Sequence, residues 1–181
     1  MVPESDEAAF RRVQAGDHTA FAVLVDRYQR RAFTVALRLL GNRADAEDAV
    51  QHAFLRLYES RAAYRSRWRL NTWFYRILTN TCIDELRRAR PTASLDGLDF
   101  STTETPDRVL AERERDRLLR AALATIPVEA RIVITLYYGE GRTYQDIGAI
   151  RGISVHTVKT HLRRGRAALR KALRARGVDR S

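Results

Sequence analysis

The sequence lacks several features that define other classes of protein. Cys82 is the one cysteine among 181 residues, so the chain cannot form an internal disulfide. It has no run of eighteen apolar residues, and its first seven residues are acidic and polar rather than basic and then apolar. We therefore expect no membrane insertion, no secretory signal and a cytoplasmic location.

Signals for bound metals and for covalent chemistry are also missing. The four histidines do not stand beside thiols or acids at the spacings typical of metal sites. No residues form a recognisable set of nucleophile, base and orienting acid. The sequence therefore predicts no metal site, no cofactor and no catalytic residues, and we expect the protein to act by binding.

Positive charge is abundant and unevenly distributed. The chain has 33 Lys and Arg against 22 Asp and Glu, a net charge of +11, and only two of the cations are lysines. Residues 1–90 carry +5 (16 − 11), residues 91–109 carry −3 (1 − 4) and residues 110–181 carry +9 (16 − 7). Arginine binds phosphate with a planar fork of donors, so this balance favours a polyanionic partner. A solvated charged surface is the alternative.

Apolar residues recur every three or four positions, which predicts an all-α protein. We expect two helical domains joined by a flexible linker: a helical bundle in residues 1–90 and a helix-turn-helix domain in residues 110–181. The linker, residues 91–109, is rich in Pro, Ser and Thr and has no helical periodicity. In the first unit, Asp17 and Asn42 each begin a helix, and a third runs from about Thr72 to Arg88.

Two surfaces of the first unit remain after its buried faces are assigned. On the second of these helices, Asp48, Gln51 and Leu55 lie opposite the apolar side, where a partner could dock. A single exposed leucine is also ordinary on a protein surface.

The second surface combines aromatic rings with cations. Its members are on or just before the third helix: Trp68, Arg69, Trp73, Arg76 and Asn80. Rings stack on unpaired bases while cations follow the backbone, so this pattern is typical of single-strand binding. The alternative is that Trp73 packs against a neighbouring helix.

The second unit has the sharpest local pattern. Thr143 is placed to cap a short helix, Gly152 to allow a tight turn and Ser154 to cap a second helix, which is helix-turn-helix spacing. Residues 155–176 contain eight cations and no carboxylate. Such a helix suits a major groove or an anionic membrane, and the turn favours the groove. The residues expected to face DNA are His156, Thr157, Lys159, Thr160, Arg163 and Arg164.

Taken together, the two units resemble the extracytoplasmic-function (ECF) sigma factors, the small two-domain class of bacterial RNA polymerase initiation factors. The resemblance is carried by the motifs at residues 45–51 (DAEDAVQ), 72–77 (TWFYRI), 143–147 (TYQDI) and 152–155 (GISV), in this order. It implies a protein that directs core RNA polymerase to promoters and starts transcription.

The resemblance also implies roles for the surfaces above. Asp48, Gln51 and Leu55 would dock on the clamp helices of the largest polymerase subunit. The aromatic and basic surface would bind the minus-ten element, separate its strands and hold single-stranded DNA. The helix-turn-helix would read the minus-thirty-five element as a duplex, its domain would contact the polymerase flap, and an anti-sigma factor is expected as a further partner.

The chain departs from the family pattern at four places: His52, Asn71, Gly148 and Gly165 stand where an acid, an arginine and two alanines are usual. Gly165 should destabilise its helix by roughly 0.5–1 kcal/mol relative to alanine. Two other functions are open. An autonomous helix-turn-helix regulator would explain the second unit, and a recombinase or nuclease would need a catalytic centre that the first unit does not offer.

Overall fold

Two long helices of the first unit each follow a residue that caps them. The structure is a computed structural model and describes residues 4–65, 68–88 and 107–177. The Asp17 carboxylate accepts hydrogen bonds from the amides of Thr19 and Ala20 at the start of helix α2 (His18–Leu40). Asn42 caps α3 (Arg43–Glu59) in the same way. A 3₁₀ turn (Arg61–Ala63) follows, and α4 spans Leu70–Arg88, beginning two residues before the predicted Thr72.

A short helix that the periodicity analysis did not predict comes first. Helix α1 covers Asp6–Gln14 and is capped by Ser5, whose hydroxyl accepts a hydrogen bond from the amide of Ala8. Phe10 and Val13 are buried under the remaining helices of the first unit. The described residues of the first unit therefore form a bundle of four α-helices, of which α1 is the shortest.

The second unit confirms the predicted helix-turn-helix. Helix α5 (Asp107–Ala124) leads into α6 (Val128–Ile134) and a π-helical turn (Thr135–Gly139), then α7 (Tyr144–Arg151) and α8 (Val155–Arg174). Thr143 and Asp146 form a reciprocal capping box, Gly152 turns the chain at φ +67°, and Ser154 caps α8. The described residues contain helices and no strands, which confirms the all-α class.

The predicted linker falls mostly outside the described residues. Helix α5 begins at Asp107, three residues before the predicted start of the second unit, and residues 91–106 lie outside the described part of the chain. Arg67, in the basic segment that joins α3 to α4, lies outside it as well.

The two units contact each other through both apolar and polar groups. Their buried residues form one hydrophobic cluster, whereas the sequence predicts independently packed units. The buried Arg131 guanidinium donates to the carbonyl of Leu39 in α2 and to those of Ala124 and Ile126 at the end of α5. Burial lowers the pKa of this guanidinium. Periodicity describes one helix at a time, so it carries no information about contact between units.

The two glycines that depart from the family pattern both lie at close approaches. A Cβ at Gly148 would lie 2.9 Å from the carbonyl oxygen of Ile153, in the turn between α7 and α8. A Cβ at Gly165 would lie 2.7 Å from Cδ1 of Ile134 and 3.2 Å from Cβ of Ala130, where α8 crosses α6. The helix-turn-helix thus uses glycine for backbone contact at one site and for helix packing at the other.

Candidate nucleic-acid interface

A cleft of about 190 Å³ lies between the segment that follows α3 and the first turns of α4. We call it the aromatic cleft. It contains three of the five residues predicted for single-strand binding, namely Trp68, Trp73 and Arg76. The remaining lining is Ala63, Tyr64, Arg65, Thr72 and, from α7 of the second unit, Ala149. Rings and guanidinium groups therefore meet at one concave surface.

The two tryptophans of the aromatic cleft differ in exposure. Trp73 is half-buried: its ring stacks on Tyr64 at 5.0 Å and makes a T-shaped contact with Phe10 at 5.9 Å. The alternative in which Trp73 packs against a neighbouring helix is thus realised in part, although its ring still lines the cleft. Trp68 is 43% exposed, and its carbonyl oxygen accepts a hydrogen bond of 2.6 Å from the Tyr64 hydroxyl. Trp68 is therefore the more accessible of the two rings.

The other two residues predicted for this surface lie beside the cleft. The amide oxygen of Asn80 accepts a hydrogen bond of 2.8 Å from Arg151 of α7. Arg69 lines a separate polar pocket between the units, whose other members are Asp6, Glu7, Asn71, Thr72, Arg142 and Asp146. Both predicted residues are exposed, but each faces the second unit in this arrangement.

Some residues that shape this surface were missed by the sequence reasoning. Phe10 of α1 packs behind Tyr64 and Trp73, and its helix has a readable signal: the cap Ser5, two acids in the first turn and buried Phe10 and Val13. Arg151 is different. It is the last residue of a short helix, and no local pattern indicates that it contacts α4.

The exposed side of α8 carries the residues predicted to face duplex DNA, and we call it the α8 face. His156, Lys159, Arg163 and Arg164 are exposed, whereas Thr157 and Thr160 are half-buried. The Thr157 amide donates to the cap hydroxyl of Ser154 at 3.1 Å. The α8 face is thus a cationic strip that begins at a capped helix terminus.

The residues predicted for partner docking lie together on the outer side of α3, the α3 face. Asp48 and Gln51 are exposed, and Leu55 is 57% exposed. His52 is also on this side, with Nδ1 3.7 Å from a carboxylate oxygen of Glu85 in α4. An apolar side chain surrounded by polar groups on an open helix surface suits contact with another protein.

The one thiol is not arranged for chemistry. Cys82 is buried in α4, and burial raises the pKa of its thiol to about 12, so the thiol is protonated at neutral pH. In the part of the chain that the structure describes, no three His, Cys, Asp or Glu side chains come together as metal ligands. None of the described helices is both long and apolar enough to cross a membrane.

Comparison with known proteins agrees with this division of the chain. The family model of sigma-70 region 2 matches residues 24–92, and that of sigma-70 region 4 matches residues 116–169. The ECF RNA polymerase sigma factor SigW of Bacillus subtilis (strain 168) is 37% identical over 176 residues, which cover 91% of this chain and 94% of SigW. The chain is an ECF sigma factor of the sigma-70 family. The ECF RNA polymerase sigma-E factor of Escherichia coli (strain K12) is 29% identical to it over 177 residues, or 91% and 92% of the two chains.

Two solved structures show the same architecture as this sigma factor. CnrH, in complex with the cytosolic domain of CnrY, superposes with a TM-score of 0.74 at 22% identity and covers 95% of this chain and 99% of its own. The sigma factor RpoE of Bartonella quintana, in complex with the anti-sigma factor NepR, gives a TM-score of 0.67 at 25% identity, covering 88% and 98%.

The matched regions assign the two units of the sigma factor. Region 2 contains the α3 face and every lining residue of the aromatic cleft except Ala149, and region 4 contains α7 and most of α8. The presence of both regions supports a transcription initiation factor that binds core RNA polymerase and promoter DNA, rather than an autonomous regulator. Helix α1 precedes the residues matched by either model.

Proposed function

We propose that this sigma factor opens the minus-ten element and holds its unpaired bases in the aromatic cleft, with Trp68, Trp73 and Arg76 in contact with DNA. The observation that carries the proposal is the exposed ring of Trp68 beside that of Trp73, with the exposed Arg76 on the same wall. An aromatic face accepts any base by stacking, and the guanidinium attracts the backbone phosphates.

The free energy gained when a base stacks in the cleft is similar in size to the cost of extruding that base from the duplex. Extruding a base from the duplex costs a few kcal/mol. Stacking on an aromatic side chain contributes about 1–3 kcal/mol for each base. One or two captured bases therefore offset most of the cost of opening one position, and the protein needs no covalent step. We accordingly propose that the sigma factor is not itself an enzyme.

Asn80 and Arg69 extend this surface along α4 and the preceding segment. In the present arrangement Arg151 holds the Asn80 amide, and Ala149 forms part of the cleft wall. For DNA to replace Arg151 at the Asn80 amide oxygen, Arg151 has to release that atom. Use of this oxygen by the minus-ten strand is therefore accompanied by movement of region 4 away from region 2.

The α8 face is proposed to lie in the major groove of the minus-thirty-five element. Residues near the start of a recognition helix contact base edges, which suits His156, Thr157 and Thr160. Lys159, Arg163 and Arg164 follow on the exposed surface and suit the phosphates. The acid-free sequence of α8 leaves these cations without an intrahelical partner.

The α3 face is proposed to dock on the clamp helices of the polymerase, through Asp48, Gln51 and Leu55, while region 4 contacts the flap. Leu55 supplies the apolar centre of such a contact, and the polar residues form its rim. We place the protein in the cytoplasm with its polymerase. By analogy with RpoE in complex with NepR, an anti-sigma factor is proposed as its regulator.

The experiment measures strand opening by the sigma factor with core polymerase, detected as permanganate-reactive thymines in the minus-ten element. Trp68→Ala should abolish opening, and Trp73→Ala should do the same. Affinity for core polymerase and for a minus-thirty-five duplex should match those of the parent. Tyr138→Ala, which removes another exposed ring from the second unit, is the control and should open DNA normally. Normal opening by Trp68→Ala would contradict the assignment.

A further inference from the structure

Helix α1 contacts both ends of the segment that carries Trp68. Gln14, at the end of α1, donates from Nε2 to the carbonyl of Arg61 at 2.8 Å and makes a longer contact of 3.5 Å with the carbonyl of Tyr64. Glu7, in its first turn, accepts a hydrogen bond of 3.2 Å from the amide of Leu70, the first residue of α4. The segment between α3 and α4 thus begins and ends at hydrogen bonds to one helix.

The same helix supports the rings of the aromatic cleft from behind. Phe10 is fully buried and makes T-shaped ring contacts with Tyr64 at 5.1 Å and with Trp73 at 5.9 Å, with interplanar angles of 78° and 85°. Tyr64 and Trp73 stack on each other at 5.0 Å. The position of the Trp73 ring is therefore fixed by a residue of α1.

Helix α1 is itself attached to α2, away from the cleft. The Asp6 carboxylate accepts hydrogen bonds from the Tyr28 hydroxyl and, at 2.8 Å, from Arg27. The Arg12 guanidinium donates from two nitrogens to one carboxylate oxygen of Asp17, at 2.6 and 3.0 Å. Since these contacts involve no residue of the cleft, α1 is a fixed support against which the cleft is built.

We propose that α1 is a positioning element for promoter opening, in which Glu7, Phe10 and Gln14 hold the aromatic cleft in the shape that captures bases. The inference rests on the proposed function of the cleft. A segment held in its binding shape before DNA arrives loses less conformational freedom on binding, so the affinity for unpaired bases is higher. The positioning residues act through Trp68 and Trp73 and do not touch DNA themselves.

The test uses the full chain with core polymerase and a fluorescent single strand that carries the minus-ten element of a promoter which this holoenzyme transcribes. Gln14→Met keeps the length of the side chain but removes its donor. Glu7→Met removes the acceptor, whereas Glu7→Gln keeps an acceptor oxygen without the charge. Gln29→Met is the matched control, because the Gln29 amide is exposed on α2 and donates to Asp26 of its own helix.

Gln14→Met and Glu7→Met should each weaken single-strand binding by about threefold to tenfold, the effect of one lost hydrogen bond. Glu7→Gln and Gln29→Met should bind as the parent does. Affinity for core polymerase and affinity for the minus-thirty-five duplex should not change, and the melting temperature of the two methionine variants should fall by no more than about 4 °C, the effect of one lost hydrogen bond. Parental binding by both methionine variants would overturn the proposal, and so would a parallel fall in melting temperature and core affinity, which would give α1 a purely structural role.

The two proposals fail in different ways. If Trp68→Ala opens DNA normally, the cleft is not the capture site, whatever the α1 variants do. If Trp68→Ala abolishes opening but the α1 variants bind single strands as the parent does, the cleft assignment stands and only the role of α1 is lost.

Discussion

Arg151 is the residue whose removal tests the contact between the two units most directly. Its Nη1 donates to the Asn80 amide oxygen at 2.8 Å and to the Thr79 hydroxyl at 3.1 Å, both in α4. Its other two nitrogens pair with Glu129 of its own unit at 2.9 and 3.3 Å. The Arg151 side chain is only 9% exposed. We expect a double-mutant cycle of Arg151→Ala and Asn80→Ala to measure one bond between the units.

The size of the coupling free energy follows from the charge of Arg151 and the exposure of Asn80. A hydrogen bond from a charged donor contributes about 1.5–3 kcal/mol when buried. Asn80 is exposed, so we expect a coupling free energy at or below the lower end of this range, about 1–1.5 kcal/mol. Arg151→Ala alone should cost about 1–2.5 kcal/mol, because it also removes the pair with Glu129, which is partly exposed and contributes up to about 1 kcal/mol.

The assay is urea unfolding, followed by far-ultraviolet circular dichroism for the whole chain and by indole fluorescence for region 2, where Trp68 and Trp73 lie. The control cycle pairs Asn80→Ala with Arg166→Ala, an exposed arginine of α8, and should be additive within about 0.5 kcal/mol. Equal additivity in the Arg151 cycle would contradict the predicted bond, since the two side chains would then contribute independently.

Three further results are expected. Replacing Arg163 and Arg164 with alanine should flatten the salt dependence of minus-thirty-five binding by about 0.9 log unit per lost phosphate contact, while replacing Arg30 and Arg31, an exposed pair on α2, should leave it unchanged. Gly148→Ala should lower the free energy of unfolding by about 1 kcal/mol, because the strain of overpacking exceeds the gain in helix propensity; a stabilised variant in thermal unfolding would show that the turn relaxes freely. The hydrogen bond from the Thr143 hydroxyl lowers the pKa of the Asp146 carboxyl group. The ionised carboxylate therefore stabilises the fold above its unfolded pKa of about 3.9, and this stabilisation is lost as the pH falls below that value. Thr143→Val should remove most of this acid sensitivity, measured as the free energy of unfolding at a series of pH values.

The sequence predicted those parts of the fold that depend on contacts within a few residues of the chain. Asp17, Asn42, Thr143 and Ser154 were each predicted to begin a helix, and each caps one. Such residues act within a few positions of the chain, so the sequence alone reveals them. The two-region organisation was predicted through the order of several motifs, and both family matches confirm it.

Long-range contacts account for what the sequence did not predict. A helical projection placed Trp73 on an open surface, but the projection contains one helix and omits Phe10, which is 63 residues away in the chain and covers the ring from one side. Gly165 was predicted only as a loss of helix stability. The structure adds that α6 occupies the space of its missing side chain. The assignments of individual residues to DNA and polymerase stay predictions.

The hydrogen bonds from Gln14 and Glu7 also bear on how promoter preference can be exchanged between related factors. A chimera that receives only the α3–α4 segment of another factor would present it to an α1 that evolved with a different sequence. Its new segment would lose the matched support at Arg61 and at Leu70. Transplants intended to change the recognised sequence should therefore carry the first fourteen residues together with the segment itself.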